Sequence, residues 1–215
     1  MKIAVLANGL SKEEMQQKPS GANTSIIWAN SMDELIACKD ADAYFDLEFS
    51  NEKERIDRLQ RLLPKPVFVN AVVETLSNIN KPLIRINAWS GFLGRAVCEA
   101  AVLDEEQKIK AENIFDELNW GYRFVPDIPG MVTARILAMI INEAYYTLQD
   151  HVSTKEEIDI AMKLGTNYPF GPFEWSEKIG LKNIHNLLIE LSKTDKIYKP
   201  SEAMEREVLS SEIRS

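Results

Sequence analysis

Histidine, the most common general base in enzymes, is scarce in this chain: both histidines lie in the C-terminal half. His151 follows a predicted helix end, where the helix dipole favours a cation, and His185 lies on a polar helix face. Ser77 and Ser90 have no histidine near them in the sequence, so nucleophilic hydrolysis has no support. A mechanism that needs a histidine base from the first half of the chain is therefore excluded.

Cysteine usage and net charge narrow the classes of function. Cys38 and Cys98 occur singly, without a CxxC spacing, which predicts buried free thiols in a reducing cytosol. No cluster of His, Cys, Asp and Glu has metal-site spacing, so we expect no metal. The net charge of -8 disfavours nucleic acids and anionic membranes as partners, because both are themselves negative. No apolar run approaches the roughly 18 residues that cross a bilayer, and the N-terminal run is too short for a signal peptide. We therefore expect a cytoplasmic protein.

The first half of the chain alternates short β-prone runs with polar or amphipathic segments. This alternation predicts βαβ units and a largely parallel sheet. Ser31, with Glu34 three residues later, has the spacing of a capping box and predicts a short helix. Asn8 to Thr24 is a polar, Gly/Ser-containing stretch. The predicted strands are Lys2–Ala7, Ser25–Ala29, Ala43–Phe49, Val67–Val73, Leu83–Ala88, Val97–Val102 and Gly121–Val125, and further helices are predicted at 51–63 and 104–118.

The second half is mainly helical. Pro129 is predicted to start a long helix with one broad apolar face, since proline is well tolerated in the first helical turn. Ser153, with a glutamate three residues later, predicts a second capped helix that ends at Gly165 as its C′ glycine. Asn183 is predicted to cap a last helix, and the polar tail from Pro200 is predicted to fray. Two domains follow, with a boundary between residues 1–127 and residues 128–215.

The stretch from Pro129 to Leu181 contains PGMVTARILAMIINEAYYTL and then STKEEIDIAMKLGTNYPFGPFEWSEKIGL. In the order and spacing of their residues, these segments resemble the helical domain of the 3-hydroxyacyl-CoA dehydrogenase family. The resemblance implies a Rossmann-like, largely parallel α/β sheet, here reduced, followed by an all-α domain of the family's C-terminal type. It also implies a homodimer through the helical domain. Most matching positions are expected to serve a helical core and a tight turn. They are Pro129-Gly130, Arg135, Leu137, Asn142-Glu143-Ala144, Ile158-Asp159, Ala161 to Gly165, Pro169 and Gly171 to Glu174.

The family also begins with a strand and a glycine-rich loop that holds the NAD pyrophosphate against a helix N-terminus. Here the first strand is followed by Asn8-Gly9-Leu10-Ser11, which has one glycine where that fingerprint has three. Ala29-Asn30 stands at the second strand end, where an acidic residue would bind the ribose. One βα unit is absent or compressed between Ala29 and Ala43. We therefore predict no cofactor-binding residues, and NAD as a cofactor only if this altered loop still binds it.

The family's catalytic segment has a histidine that takes the proton of the 3-hydroxyl and a glutamate, twelve residues later, that orients the ring. The segment NAWSGFLGRAVCE fits that frame with Asn87 at the histidine and Glu99 at the glutamate. An asparagine amide is not a usable base. Ser90 falls at the family's asparagine and Asn70 near its substrate-contacting serine, while Ala134 replaces a further asparagine. Asn87 and Glu99 are the candidate catalytic residues, and Ser90 and Asn70 the candidate substrate-binding residues.

Three functions fit these residues. The first is a 3-hydroxyacyl-CoA dehydrogenase-like protein that lacks the usual NAD-dependent activity and binds an acyl-CoA-like small molecule or a partner protein. The second is an active NAD-dependent oxidoreductase with a rearranged site, in which Glu99 is the base. The third is a non-catalytic, dimeric interaction module. The joint change of the glycine loop and of the histidine favours the first.

Overall fold

The structure is a computed structural model that describes residues 1–18 and 20–213. The chain divides into two compact units, Met1–Met131 and Val132–Ser215. The first unit carries a sheet flanked by helices, and the described part of the second is helical. The predicted combination of a Rossmann-like sheet and a helical C-terminal domain is confirmed.

The sheet of the first unit contains seven strands among the described residues, and every predicted strand is present. Neighbouring strands are parallel except for β5 and β6, which run antiparallel. The order across the sheet is β2-β1-β3-β4-β5-β6-β7. The strands are β1 Lys2–Leu6, β2 Ser25–Ala29, β3 Ala43–Asp46, β4 Val67–Asn70, β5 Ile84–Ile86, β6 Val97–Ala101 and β7 Gly121–Phe124.

Both faces of the sheet are covered, which explains why most residues of its strands are apolar. The side chains of β1 alternate between the two faces: Ile3 and Val5 join one buried cluster, and Ala4 and Leu6 join the other. The first cluster lies under helices α1 (Gly9–Gln17) and α5 (Glu105–Leu118). The second lies under α2 (Met32–Ala37), α3 (Lys53–Gln60) and α4 (Leu76–Ile79).

Two helices of this unit, α1 and α4, were not predicted, and one predicted omission is confirmed. Helix α1 lies in the stretch read as polar and contributes one buried apolar residue, Met15. Only α2 stands between β2 and β3, so β2 is an edge strand and the additional βα unit is absent from the described residues. The predicted cap of α2 is confirmed, since the Ser31 side chain accepts from the Glu34 N–H.

The second unit is built around the long helix α6 (Thr133–Gln149), which packs against α8, α9 and α10. Tyr145 of α6 meets Phe173 of α8 edge-to-face, with ring centroids 4.9 Å apart. Leu187 and Met204 are fully buried in the same unit. None of the helices in the described residues is long and apolar enough to cross a membrane. The remaining helices are α7 Lys155–Thr166, α8 Pro172–Ile179, α9 Leu181–Ser192, a 3-10 turn Lys196–Tyr198 and α10 Glu202–Glu212.

Several predicted helix boundaries in this half are wrong. Helix α6 starts at Thr133 rather than Pro129, because Gly130 and Met131 adopt left-handed backbone angles that interrupt a helix. The second capping box is one residue later than predicted, at Thr154 with Glu157.

The end of one further helix, the start of another and the C-terminal tail also differ from prediction. Helix α7 continues through Gly165 to Thr166, with Asn167 in the left-handed region after it. Helix α9 starts at Leu181, and the Asn183 side chain donates back to Ile179 O instead of capping it. The tail predicted to fray forms α10, capped by Ser201.

Candidate functional site

The predicted catalytic pair is brought together by the one antiparallel step of the sheet. The β5–β6 register pairs Ile86 with Ala100, so Asn87 lies opposite Glu99. The Asn87 N–H donates to Glu99 O at 3.1 Å. The Asn87 Nδ2 donates to the Glu99 carboxylate at 3.3 Å. The twelve-residue spacing noted in the sequence is therefore the spacing of two strands that fold back on each other.

The Asn87 side chain is buried but only half paired. The residue is 3% exposed, and its Oδ1 has no hydrogen-bond partner in the described part of the chain. Its Nδ2 is held by the carboxylate of Glu99, which lies partly exposed in the middle of β6. A neutral amide in this place can donate and accept hydrogen bonds, but it cannot take up a proton as an imidazole can.

The other two predicted residues are placed differently. The Asn70 Oδ1 accepts from the Ala88 N–H at 3.0 Å and its Nδ2 donates to Leu47 O at 3.3 Å. Both ends of this amide are thus used to tie β4 to the segments that follow β3 and β5. Ser90 lies partly exposed in the turn after β5. The structure brings Asn87 to Glu99 and Asn70 to the backbone beside Asn87.

Two residues that sequence reasoning missed fix that turn to helix α1. The Glu14 carboxylate accepts from the N–H groups of Gly91 and Gly94, at 2.5 and 3.2 Å. One helical turn later, the Lys18 Nζ donates to Leu93 O and Arg95 O, at 2.9 and 2.6 Å. Their spacing of four residues puts both on one helix face. This spacing was the only feature of the sequence that could have revealed the two residues, because α1 has little apolar periodicity.

The buried ammonium of Lys18 also lies 4.7 Å from the ring centroid of Trp120. Burial lowers the pKa of Lys18, while the nearby Cys98 and Glu14 act in the opposite direction. Burial raises the pKa of the Cys98 thiol to about 12. Cys98 is a buried free thiol, as predicted, whereas Cys38 is free but partly exposed, so that half of the prediction is wrong.

The turn between β1 and α1 differs from a three-glycine pyrophosphate loop. Gly9 has a φ of 42°, and a Cβ there would meet no atom within 4 Å. Glycine adopts this positive φ more readily than any other residue. Leu10 projects 45% exposed at the start of α1, and the Ser11 Oγ donates to Asn8 O at 2.8 Å. These residues do not fit the usual cradle for the pyrophosphate of NAD.

The end of β2 also lacks a free acidic group for a ribose. The backbone N–H and the Nδ2 of Asn30 both donate to the Glu34 carboxylate, at 2.8 and 3.0 Å. Glu34 is thus engaged in holding the β2–α2 turn. No group of three or more His, Cys, Asp and Glu residues in the described segments could hold a metal ion.

A buried ion pair holds the last segment of the first unit against the sheet. Arg85 of β5 is fully buried and donates to Asp127, and its Nε donates to Ala71 O at 2.8 Å. Asp127 in turn accepts from the N–H groups of Leu76 and Ser77 at the start of α4, at 3.0 and 3.2 Å. Burial lowers the pKa of Arg85, and the hydrogen bond and charge of Asp127 oppose that shift.

In the helical unit, the residues that carry the resemblance form a tight turn. The Asp159 carboxylate of α7 accepts from the N–H groups of Phe173 and Glu174, at 2.8 and 3.2 Å, and so caps α8. A Cβ on Gly171 would lie 2.3 Å from that carboxylate. Lys163 donates to Glu174, whose pKa is lowered first by that hydrogen bond. The geometry of this turn requires the glycine.

Two further residues of the pattern anchor the segment before α10. The Asn142 Nδ2 donates to Lys199 O, and its Oδ1 accepts from the Ser201 N–H, both at 2.9 Å. Arg135 donates to the Tyr198 hydroxyl and stacks on its ring, 4.7 Å from the centroid. The expectation that these positions serve packing and a turn agrees with every contact described for them.

A family model and curated relatives are similar to parts of this chain. Residues 130–214 match the family model of the 3-hydroxyacyl-CoA dehydrogenase C-terminal domain. The chain is 33% identical over 131 residues to 3-hydroxyadipyl-CoA dehydrogenase of Escherichia coli (strain K12), covering 60% of the chain and 27% of that protein. It is 45% identical over 78 residues to 3-hydroxybutyryl-CoA dehydrogenase of Clostridioides difficile, covering 34% of the chain and 27% of that protein. The chain thus spans about a quarter of these curated relatives.

Solved structures extend the likeness of the fold to the first unit. The chain superposes on (S)-3-hydroxybutyryl-CoA dehydrogenase from Ralstonia eutropha with a TM-score of 0.74. That alignment has 19% identity and covers 98% of this chain and 94% of the other, so it shows the fold alone. The pattern in the helical unit, its match to the family model and the named relatives lead to one conclusion: residues 130–214 form a C-terminal domain of the 3-hydroxyacyl-CoA dehydrogenase family.

Proposed function

We propose that this member of the family does not oxidise 3-hydroxyacyl-CoA with NAD, and that it retains the ability to bind an acyl-CoA-like molecule. The observation that carries the proposal is the pair Asn87–Glu99. It keeps a buried polar side chain against a carboxylate, in the register that the family's spacing implies, but the Asn87 amide at the histidine position cannot accept the substrate proton. A cytoplasmic location is part of this proposal.

The first unit also supports the proposal that NAD is not used. The β1–α1 turn has a single glycine, and Leu10 and Ser11 carry side chains at the helix start where a pyrophosphate would approach. Within residues 1–18 and 20–213, no additional βα unit lies beyond β2. Relatives that match the helical half are named as dehydrogenases of hydroxyacyl-CoA thioesters, which motivates the choice of ligand.

A thermal-shift panel separates the candidate functions, because a ligand that binds the native state raises the melting temperature. The panel contains NAD, NADH, NADPH, CoA, butyryl-CoA and acetoacetyl-CoA. We expect a saturable rise with the CoA esters and none with the nucleotides. A rise with both classes, together with NADH formation that Glu99→Gln abolishes, would favour an active oxidoreductase with Glu99 as base. No rise with any ligand would favour an interaction module.

We also propose that the helical unit forms a homodimer. Helix α7 and the turn after it present apolar side chains to solvent, with Ile160 53%, Leu164 84% and Tyr168 41% exposed. Apolar side chains grouped on one surface are typical of a protein interface. Light scattering should give twice the mass of the chain for the wild type and the mass of one chain for Leu164→Glu. Ile213→Glu, also highly exposed but after α10, is the matched control, and a monomeric wild type would contradict the proposal.

A further inference from the structure

Strand β2 forms one edge of the sheet and has hydrogen-bonding groups that face away from it. Among residues 1–18 and 20–213, it pairs with β1 alone. The Ser25 N–H donates to Met1 O at 2.9 Å, and the parallel register then continues over the whole strand. A parallel strand bonds to its neighbour through every second residue. The odd-numbered residues of β2 therefore bond to β1, and the N–H and C=O groups of Ile26 and Trp28 point outward.

Strand β2 has none of the features that usually protect a sheet edge. Its residues, SIIWA, include no charged side chain and no proline, and its pairing with β1 has no bulge. Ile26, Ile27 and Trp28 are all partly exposed. Neither Ile26 nor Trp28 has a backbone hydrogen bond to a loop or a side chain in the described segments. An exposed, uncharged edge of this kind is suited to the addition of another strand.

The sequence of β2 is complementary to a second copy of itself. When two such strands run antiparallel about Ile27, Ile26 of one copy lies opposite Trp28 of the other. Opposed residues whose backbone groups face each other exchange both N–H···O bonds, so every outward group of the strand is satisfied. The side chains of Ile26 and Trp28 lie on the same face, where both pack against the first buried cluster. An aromatic side chain beside a β-branched one is a favourable cross-strand pair.

The opposite edge of the sheet, formed by β7, is protected from such pairing by charge. The outward residues of β7 are Tyr122 and Phe124, because the Val125 N–H bonds back to β6 at 2.9 Å. Antiparallel pairing of two copies about the residue between them would place Arg123 against Arg123. Like charges directly opposite each other are destabilising. In β2 the corresponding central pair is Ile27 with Ile27, which carries no charge.

The residues around β2 are also compatible with self-pairing. In the same register, Thr24 lies opposite Asn30 of the second copy, and both side chains are polar and uncharged. The Lys12 ammonium lies over the Trp28 ring, 5.2 Å from its centroid, and is thus held on its own chain. The Glu34 carboxylate is engaged by Asn30 in the β2–α2 turn. The charge that opposes association is the net charge of -8 on each chain.

We propose that β2 pairs with β2 of a second copy of this chain, antiparallel and centred on Ile27, so that two seven-stranded sheets join at their edges. The contact involves one short strand from each copy, so we expect it to be weak and to form only at high protein concentration. It is separate from the exposed surface of α7, and dilute samples keep the mass proposed for the α7 homodimer. It depends neither on the loss of NAD chemistry nor on acyl-CoA binding.

The test is amide hydrogen–deuterium exchange of the full chain, followed by NMR over a dilution series in high salt. High salt screens the repulsion between chains of net charge -8. We expect exchange at the Ile26 and Trp28 amides to slow as the concentration rises, about tenfold once nearly all chains are paired. The amide of Ile27, which is bonded to β1, and those of Tyr122 and Phe124 in β7 should exchange at the same rate throughout the series.

A pair of variants at the centre of the strand gives the matched comparison. Ile27→Lys places like charges opposite each other, whereas Ile27→Thr is uncharged and also β-branched. We expect Ile27→Lys to remove the concentration dependence and Ile27→Thr to keep it. Leu164→Glu, which removes the proposed α7 homodimer, should also keep it, so the two interfaces are tested separately.

The dilution series on the wild type does not depend on any variant folding. The proposal is overturned if exchange at Ile26 and Trp28 is independent of concentration, since β2 is then not covered by a second copy. It is also overturned if the amides of β7 slow equally, or if Ile27→Lys behaves as the wild type. A slowing that is lost in Leu164→Glu would assign the effect to the α7 surface and would overturn it as well.

Discussion

The buried pair Arg85–Asp127 allows a quantitative prediction about the first unit. Asp127→Ala removes the only carboxylate described on a guanidinium whose side chain is 0% exposed, and it removes the acceptor of two N–H groups that start α4. Leaving one member of a buried pair unpaired costs about 3–5 kcal/mol. Arg85 keeps carbonyl acceptors on Ala71 and Val72, so we expect a loss near the lower end, about 3 kcal/mol.

Such a loss is large against the total of about 5–15 kcal/mol that stabilises a typical domain. It is measurable by urea denaturation followed by tryptophan fluorescence, because Trp28, Trp89 and Trp120 lie in the first unit and only Trp175 in the second. Asp40→Ala removes an ion pair between exposed side chains and should leave the unfolding midpoint nearly unchanged.

The double variant Arg85→Met/Asp127→Leu shows whether the loss of stability in Asp127→Ala arises from the unpaired, buried charge of Arg85. Apolar replacement of both partners avoids an unpaired buried cation, so we expect it to be more stable than Asp127→Ala alone. A loss of unfolding free energy for Asp127→Ala no larger than that for Asp40→Ala would contradict the expected cost of leaving Arg85 unpaired. A double variant Arg85→Met/Asp127→Leu that is less stable than Asp127→Ala would contradict it as well.

Two further predictions concern the helical unit and the thiols. Gly171→Ala should lower the free energy of unfolding by about 2–3 kcal/mol, because the new Cβ displaces the Asp159 carboxylate from the two N–H groups that it caps. Gly165→Ala, where a Cβ meets no atom within 4 Å inside α7, should instead stabilise by up to about 1 kcal/mol, and equal melting temperatures for the two variants would contradict both expectations. The pKa of Cys98 at about 12 means that its thiolate is scarce below that pH, so iodoacetamide at pH 8 should alkylate partly exposed Cys38 first and Cys98 only after unfolding, as peptide mass spectrometry would show.

The features predicted correctly from the sequence are those with a local or periodic cause. The seven strands are short apolar runs bounded by polar residues or proline, and each occurs where it was predicted. The pair Asn87 and Glu99 was named from the family resemblance, and the two residues lie opposite each other within one strand–turn–strand segment. The tight turn around Gly171 was also visible as a pattern, although its reason, the Asp159 cap, is a contact between two helices.

The features that were missed depend on contacts distant in sequence. Helix α1 has a weak apolar pattern because Glu14 and Lys18 bind a turn some 77 residues away. The late start of α6 reflects the Gly130 N–H, which donates to Val72 O at 2.8 Å while Gly130 is left-handed. The segment before α10 looked unanchored because its partner, Asn142, lies 59 residues earlier. The partners in each of these contacts are too far apart in the sequence for a local pattern to reveal them.

We propose that Asn87 and Glu99 do not support hydride transfer to NAD, and an isotope-transfer experiment can show whether they do. The purified protein, at a concentration equal to the substrate, is incubated with NAD and 3-hydroxybutyryl-CoA that carries deuterium at C3, and the NADH is analysed by mass spectrometry. We expect no deuterated NADH above a protein-free blank, and the same result for Glu99→Gln. Deuterium in NADH with the wild type, lost in Glu99→Gln, would contradict it.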